Sequence, residues 1–286
     1  MSVGSVKELR RYPVKSMDGE ILEEVRIGRK GLIGDRAWAV RDESRGGIRG
    51  AKQIPGLMKL SASYIDSEED PLNRVKISTS EGVSFYSDDT DINQLVSDAV
   101  EHPVSFWPLL PEDALDHYRR GAPIHDTMEE EMRAVFGLTE EESLPDFSEF
   151  PKELFEYETP PGTYFDAFPL LLLSENSLKS MQRRWPHSRF DVRRFRPNIL
   201  VNCADSTSPF PEHKWVGKKI RVGGCVFSIK MECRRCIMVT HAFSDLSKDP
   251  KIMRALVKET GGNLGVYATI EQEGQIKKGD KIELLD

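Results

Sequence analysis

The sequence predicts a β-rich α+β fold with few helices. Short runs of alternating apolar and polar residues recur along the whole chain, and most of them are bounded by glycine or proline. Few stretches carry apolar residues at helical spacing. Many short strands with occasional helices are typical of β-barrels and β-sandwiches that carry helical additions. The sequence contains no internal repeat and no phosphate loop of the GxGxxG or GxxxxGKS/T type.

The N-terminal half is predicted to consist mainly of strands. Alternation places them at Val3–Tyr12, Glu20–Ile27, Ala37–Asp42, Leu57–Ile65 and Val104–Leu110, with a hairpin over Arg74–Tyr86. Thr90 and Asp91 are residue types that cap helices. The apolar spacing behind them predicts a short helix over Thr90–Val100.

The C-terminal half is predicted to add two helices to a second set of strands. Ser174 begins an amphipathic helix that ends near Trp185, and a helix over Pro250–Thr260 is ended by two glycines. Strands are expected at Pro197–Val201, Lys218–Val222, Cys225–Met231, Gly265–Ile270 and Lys281–Leu285.

The charge distribution excludes some classes of function. The net charge is −7, from 40 Lys and Arg against 47 Asp and Glu, which argues against a general nucleic-acid-binding surface. Acidic residues concentrate in Thr127–Glu158, which we interpret as a solvated, mobile connection. The longest apolar run, Phe168–Leu173, is too short to cross a bilayer, and four cysteines fit a reducing compartment. We therefore expect a soluble, cytoplasmic protein without a membrane span.

Cys233 and Cys236 form a CxxC motif with two arginines between them. Positive charge beside a cysteine favours its thiolate, the form that binds metals or attacks electrophiles. A structural zinc site would need four ligands, and a thioredoxin-type redox pair would need a βαβ context that is not predicted here. Burial as an inert side chain is the simplest interpretation for Cys203 and Cys225. It is weaker for Cys236, because burying two flanking arginines without an anion is unfavourable.

Basic residues at strand ends give a second indication. Lys15, Arg36, Arg196 and Arg235 each lie beside a loop where a strand begins or ends. Strand ends can converge on one pocket, and convergent arginines usually bind a phosphate or a carboxylate. The alternative is that these residues are solvated surface charges. The glycine-rich segment before Arg36 leaves a similar choice: Asp35 and Arg36 could approach an anionic ligand or form a turn with a surface ion pair.

Five motifs resemble those of a known family. They are YPVKS (12–16), GDRAW (34–38), FRPNI (195–199), CRRC (233–236) and the ending GDKIELL (279–285). In this order they resemble MOSC-domain proteins, most of all the amidoxime-reducing component family, whose members bind a molybdenum cofactor. The resemblance implies a MOSC-type β-barrel over 163–286, an N-terminal MOSC-associated β-rich domain over 1–125, and the acidic connection over 126–162 between them.

The resemblance also implies a set of site residues. Cys236, the second cysteine of CRRC, would bind molybdenum through its thiolate and is the expected catalytic residue. A soft sulfur ligand suits this metal beside the dithiolene sulfurs of the pterin. The residues expected around the pterin and its phosphate are Lys15, Ser16, Arg36, Asp166, Phe168, Arg196, Asn198, Arg234, Arg235 and Tyr267. Asp35 could orient Arg36 or simply stabilise a turn.

The function that the resemblance implies is the reduction of N-hydroxylated compounds, such as amidoximes and hydroxylamines, by removal of oxygen at a cysteine-ligated molybdenum. Because no cysteines are available for an iron–sulfur cluster, electrons are expected from a separate partner. That partner is either cytochrome b5 with its reductase or a ferredoxin-type reductase. The alternatives are a molybdenum-cofactor carrier or sulfur-transfer protein, and a non-catalytic barrel with a structural CxxC.

The chain departs from the family pattern behind Cys236. Family members usually have VDPDTG in this stretch, whereas this chain has VTHAFSD over 239–245. The resemblance therefore leaves open the side of the site that faces the substrate. His241 belongs to this stretch, and its intrinsic pKa suits proton transfer. Its alternative role is that of an ordinary exposed histidine.

Overall fold

The computed structural model describes residues 1–65, 74–146, 152–205 and 207–285. Within these ranges the strands are β1 (Ser2–Arg11), β2 (Glu20–Leu22), β3 (Glu24–Gly28), β4 (Gly31–Leu32), β5 (Trp38–Asp42), β6 (Ile48–Arg49), β7 (Ser61–Tyr64), β8 (Val75–Ser78), β9 (Ser84–Tyr86), β10 (Val104–Pro108), β11 (Leu170–Ser174), β12 (Ile199–Cys203), β13 (Lys219–Val222), β14 (Cys225–Arg234), β15 (Asn263–Gln272), β16 (Gly274–Lys277) and β17 (Lys281–Leu285). The α-helices are α1 (Ile92–Val100), α2 (Leu115–Tyr118), α3 (Met128–Phe136), α4 (Glu175–Arg184), α5 (Val192–Phe195) and α6 (Lys251–Thr260). Short 3-10 helices cover Pro55–Lys59, Lys152–Phe155, Pro211–Trp215 and Ile237–Thr240.

Strands from both ends of the chain close a β-barrel. The strands β12, β11, β15, β14, β13, β17 and β1 are hydrogen-bonded in this order, and β1 pairs again with β12. The N-terminal strand β1 therefore lies between two C-terminal strands and is antiparallel to both. Leu9, Leu172, Ile199, Phe227 and Val266 are fully buried in the core of this sheet. Removal of these apolar side chains from water is the main stabilisation of the barrel.

Smaller sheets and helices complete the fold. The additional sheets have the strand orders β10-β5-β6, β7-β8-β9 and β16-β3-β4. Val40, Ile77 and Val96 belong to a second core, which β5, β8 and α1 share. Met181 and Leu256 belong to a third core, which α4 and α6 share.

The predicted β-rich α+β fold with a barrel is confirmed. The three predicted helices are present as α1, α4 and α6. Helix α4 begins after Ser174, whose hydroxyl accepts a hydrogen bond from the Ser177 N–H at 3.0 Å. Helix α6 ends at Gly261, which has the left-handed conformation typical of a helix C-terminus.

Three predicted strands differ clearly from the observed ones. The segment Glu20–Ile27 divides into β2 and β3, because β2 pairs with β1 whereas β3 pairs with β16 and β4. The segment Leu57–Ile65 begins inside a 3-10 helix that Pro55 starts, and only Ser61–Tyr64 is a strand. Strand β14 continues three residues beyond its predicted end, which places Cys233 inside the strand.

The acidic segment contains a helix that was not predicted from the sequence. Helix α3 follows Thr127, which forms a reciprocal capping box with Glu130. Arg254 of α6 binds Glu142 at 2.6 Å and also contacts the carbonyl oxygen of Gly137, so that the end of α3 is tied to the C-terminal half. That the segment is a mobile connection stays a prediction, and the part of it that concerns 147–151 lies outside the described residues.

The predicted domain boundaries, 1–125, 126–162 and 163–286, stay a prediction. Strand pairing joins the first and last of these parts, since β1 belongs to the barrel and β3 pairs with β16.

Barrel closure leads to a first prediction, at Gly4. A methyl group added there would lie 2.6 Å from the carbonyl oxygen of Asn202 and 3.2 Å from the Cα of Cys203. Because these backbone atoms belong to the neighbouring barrel strand, Gly4→Ala should lower the free energy of unfolding by about 1–3 kcal/mol.

The control is Gly224→Ala, whose added methyl would lie no closer than 3.6 Å to its neighbours. We expect it to change the free energy of unfolding by less than about 0.5 kcal/mol. Urea denaturation followed by circular dichroism measures both variants. Equal destabilisation by the two substitutions would contradict the role of this close approach.

Candidate functional site

A cavity of about 430 Å³ is lined by residues from the barrel, the N-terminal part and the acidic segment. Every residue that the sequence analysis assigned to the site lines it: Lys15, Ser16, Arg36, Asp166, Phe168, Arg196, Asn198, Arg234, Arg235, Cys236 and Tyr267. These residues come from six separate stretches of the chain. Barrel closure brings the stretches together, because the end of β1 lies beside β12. Their roles as cofactor ligands stay a prediction.

The carboxylate of Asp35 connects three of these stretches. It is fully buried and accepts hydrogen bonds from the Tyr12 N–H at 2.7 Å and from the Asn198 amide at 3.0 Å. It also binds the guanidinium of Arg36. The contact with Arg36 supports the first of the two roles predicted for Asp35, which is to orient Arg36. The ion pair between Asp35 and Arg36 lies mostly inside the protein and not on its surface.

Arg36 and Arg196 both lie against the buried ring of Tyr12. Their guanidinium carbons are 5.0 Å and 4.1 Å from the ring centre, and the Tyr12 hydroxyl donates to the carbonyl oxygen of Pro197 at 3.1 Å. Burial lowers the pKa of Arg196 to about 10. Arg196 therefore stays protonated at neutral pH, and the two arginines bring positive charge into the cavity.

Three residues of the cavity have a left-handed backbone. The φ angles of Ser16, Arg36 and Arg196 are 70°, 50° and 54°. Residues other than glycine adopt this conformation at a cost of about 1–3 kcal/mol, and such residues cluster at ligand-binding sites. This indication of a functional site comes from the structure alone, since none of the three is a glycine or an asparagine.

The two cysteines of the CRRC motif have different surroundings. Cys233 is fully buried, and its sulfur accepts a hydrogen bond from Nη1 of Arg235 at 2.9 Å. Burial also raises the pKa of Cys233. Cys236 follows the end of β14, is half-buried and lines the cavity, which Cys233 does not. The thiol that faces the cavity is therefore that of Cys236.

Three arginines of the cavity carry buried N–H groups that have no acceptor in the described part of the chain. These groups are Nη2 of Arg196, Nε of Arg234 and Nε of Arg235. Other nitrogens of the same side chains donate to the carbonyl oxygens of Met17, Gly261 and Phe195. A buried donor without a partner is unfavourable by about 1–3 kcal/mol. Arginines whose hydrogen-bonding capacity is not fully used therefore line the cavity, which is the chemistry of an anion-binding site.

Two lysines and a carboxylate form a second charged group in the lining. Nζ of Lys15 lies 2.6 Å from Asp166 and 2.9 Å from the carbonyl oxygen of Tyr164, and Lys52 lies 3.5 Å from Asp166. Burial lowers the pKa of Lys15. Although partial desolvation favours the neutral acid, Lys15 and Lys52 hold the pKa of Asp166 well below its usual range. Lys52 was not assigned from the sequence, although it lies in a loop rich in Gly, Arg and Lys.

The remaining assigned residues are engaged with neighbours in the protein. The rings of Phe168 and Tyr267 are stacked with their centres 5.1 Å apart. The Ser16 hydroxyl accepts a hydrogen bond from a backbone N–H at 2.9 Å. Asn198 accepts one from the Leu171 N–H at 3.2 Å in addition to its bond with Asp35. Asn198 thus positions its neighbours, and its contact with a cofactor stays a prediction.

The contribution of the acidic segment to the cavity was not predicted from the sequence. Met128, Met132 and Phe136 of α3, together with Phe155 and Glu158, line the cavity. The high content of glutamate in this segment hides the apolar spacing of Met128, Met132 and Phe136, which is that of a helix. His241 does not line the cavity, and it is half-buried rather than exposed. Burial lowers its pKa.

Comparison with known protein families accounts for most of the chain. Residues 160–283 match the MOSC domain family, and residues 3–107 match the family described as the MOSC N-terminal beta barrel domain. The chain is a MOSC-domain protein. The fold of this MOSC-domain protein agrees with that assignment, because six C-terminal strands and the N-terminal strand β1 form a closed barrel.

The relatives of the MOSC-domain protein are distant. It is 24% identical to mitochondrial amidoxime-reducing component 1 of Mus musculus, over 99% of its own length and 83% of the relative's. It is 24% identical to mitochondrial amidoxime reducing component 2 of Bos taurus, over 98% and 83%. The molybdenum cofactor sulfurase of Oryza sativa subsp. japonica is also 24% identical, over 82% of this chain but only 28% of the sulfurase. Among the described residues, no helix is both long and apolar enough to cross a membrane.

Asp166 gives a prediction about pH. Because its folded-state pKa lies below the ordinary value, the carboxylate stabilises the native state fully above about pH 4 and loses this effect as the pH falls further. Asp166→Asn should therefore lower the free energy of unfolding at neutral pH. The loss is at most about 1 kcal/mol, because the side chain is 45% exposed.

Urea denaturation at about pH 7 and about pH 3 compares the variant with the unchanged protein. Asp113→Asn, which removes an exposed carboxylate outside the cavity, is the control. A loss of the same size at both pH values contradicts the assignment.

Proposed function

We propose that this MOSC-domain protein is a molybdenum-cofactor-dependent reductase of N-hydroxylated compounds such as amidoximes and hydroxylamines. The observation that carries the proposal is a half-buried thiol, Cys236, in the same cavity as arginines whose buried N–H groups have no acceptor within the described ranges. The names of relatives that match nearly the whole chain support the reductase activity.

The residues of the cavity fit the molybdenum cofactor. Its phosphate is an acceptor for the free donors of Arg196, Arg234 and Arg235, and arginine pairs well with phosphate. Its dithiolene sulfurs supply the ligands that the chain lacks here, since no three His, Cys, Asp or Glu side chains cluster among the described residues. The thiol of Cys236 adds a soft sulfur ligand of the type that suits this metal. The other holding residues that we propose are Lys15, Ser16, Arg36, Asp166, Phe168, Asn198 and Tyr267.

When bound, the cofactor supplies the two-electron chemistry that breaks the N–O bond of the substrate. The overall reaction takes up two electrons and two protons and releases water with the amine or amidine. The chain's own residues bind and orient: the arginines hold the anionic end of the cofactor, and Asp35 fixes Arg36. We propose that the electrons come from a separate protein, cytochrome b5 with its reductase or a ferredoxin-type reductase, in the cytoplasm.

A second candidate function is that of a molybdenum-cofactor carrier or sulfur-transfer protein. The match to molybdenum cofactor sulfurases over 82% of this chain favours it. The same arginines would hold the cofactor, and the accessible Cys236 would bind it or carry a persulfide, without reduction of an organic substrate.

The test uses protein from a host that makes the cofactor. We expect nearly one molybdenum per chain and reduction of benzamidoxime with dithionite as electron source. Cys236→Ala should reduce this activity by at least about 100-fold, because it removes the protein's ligand to the metal. Circular dichroism should show an unchanged fold, since Cys236 is half-buried.

Cys225→Ala is the matched control, because Cys225 is a buried thiol outside the cavity. Full activity of Cys236→Ala would exclude the ligand assignment. Bound molybdenum without benzamidoxime turnover in the unchanged protein favours the carrier. Absence of both metal and pterin excludes the reductase and the carrier.

The unpaired donor of Arg196 gives a further prediction. Arg196→Met should lower the molybdenum and pterin content about tenfold when the cofactor is limiting, because a charged hydrogen bond to the phosphate is lost. Arg221→Met removes an exposed arginine outside the cavity and should leave the content unchanged. Metal analysis and pterin fluorescence measure both. Normal content in Arg196→Met contradicts the proposed role.

A further inference from the structure

The acidic segment builds an apolar wall on the cavity, which we define as Met128, Met132, Phe136, Leu144 and Phe155. All five side chains line the cavity. Met128, Leu144 and Phe155 are large apolar side chains with exposed fractions of 65%, 37% and 64%. Exposed apolar residues that gather at a cavity mark ligand-binding grooves. The apolar wall is therefore a candidate for contact with a ligand.

The glutamates around the apolar wall are already engaged. Glu129 binds Arg133 at 2.8 Å, and Glu131 accepts hydrogen bonds from two backbone N–H groups of the preceding loop. Glu158 is held by Arg49 at 2.8 Å and by Arg120 at 3.2 Å. Because these carboxylates have partners, the surface that the wall offers is apolar rather than anionic. It suits a hydrocarbon group.

The apolar wall is held next to the CRRC motif. The ring of Phe136 lies 5.7 Å from the guanidinium carbon of Arg234. Gly137, at the end of α3, faces Ile237 so closely that an added methyl would lie 3.0 Å from its Cδ1. Since Ile237 follows Cys236 directly, the wall begins beside the residue that we assign to the metal.

The cations and the apolar wall divide the cavity between two kinds of ligand. The arginine donors suit the anionic phosphate of the cofactor, whereas the side chains of the apolar wall carry no charge and no N–H or O–H group to bind it. The wall also lies in residues 108–159, which neither matched family covers. The wall therefore lies outside the two matched domains, on the same cavity as the arginines.

We propose that the apolar wall binds the hydrocarbon body of the substrate and selects N-hydroxylated compounds that carry an aromatic or aliphatic group. The inference rests on the proposed function for the reactive end of the substrate. Met128 and Phe155 are the specificity-determining residues, because they are the most exposed members of the wall.

The test compares benzamidoxime with formamidoxime, which has the same reactive group and no hydrocarbon body. Calorimetry with the cofactor-loaded protein measures the affinity of each. We expect benzamidoxime to bind at least about tenfold more tightly. The double variant Met128→Ala/Phe155→Ala should lower the ratio of the two affinities about tenfold, because the lost contacts are hydrophobic ones.

Ile21→Ala is the control, since Ile21 is an apolar side chain of similar exposure outside the cavity, and it should leave the ratio unchanged. The proposal is overturned if the unchanged protein binds both compounds equally, or if the double variant keeps the original ratio. Selective binding of benzamidoxime without turnover would contradict the proposed reductase activity and support the proposed role of the apolar wall in binding. If the protein turns over benzamidoxime and the double variant has the same kcat/KM, the reductase activity is supported and the role of the apolar wall is contradicted.

Discussion

The geometry of the cavity depends on the buried carboxylate of Asp35. It accepts hydrogen bonds from the end of β1 through Tyr12 and from the start of β12 through Asn198, and it binds Arg36. These residues lie far apart in the sequence. The Asp35 carboxylate thus connects Arg36 in the cavity to β1 and β12, the two strands whose pairing closes the barrel. A buried carboxylate without these donors would be strongly unfavourable, so the arrangement is cooperative: loss of one partner weakens the others.

The same cavity concentrates features that work against folding. Ser16, Arg36 and Arg196 have left-handed backbones, and the buried donors of Arg196 and Arg235 lack acceptors among the described residues. The chain has a net charge of −7, so the grouping of these cations in one cavity does not follow from overall composition. Strain and unsatisfied donors of this kind persist at ligand-binding sites, where a bound anion offsets part of the penalty.

Much of the barrel could be predicted from the sequence, because its strands alternate clearly. The residues that the family resemblance implied for the site all line one cavity, and their roles stay a prediction. The wall could not be predicted, because α3 is short and rich in glutamate, and its position depends on the tertiary contacts of Arg254 with Glu142 and Gly137. The difference between Cys233 and Cys236 depends on where β14 ends, and strand ends are the least reliable part of a sequence-based prediction.

The wall and the barrel are stabilised by different means. The four apolar cores contain none of the wall residues, as far as the described residues extend. Helix α3 is held instead by its capping box at Thr127 and by polar contacts at its other end. A helix anchored in this way can change its apolar side chains without disturbing the core. The residues that we propose to contact substrate can therefore vary in this segment, whereas those around Asp35 are constrained by the barrel itself.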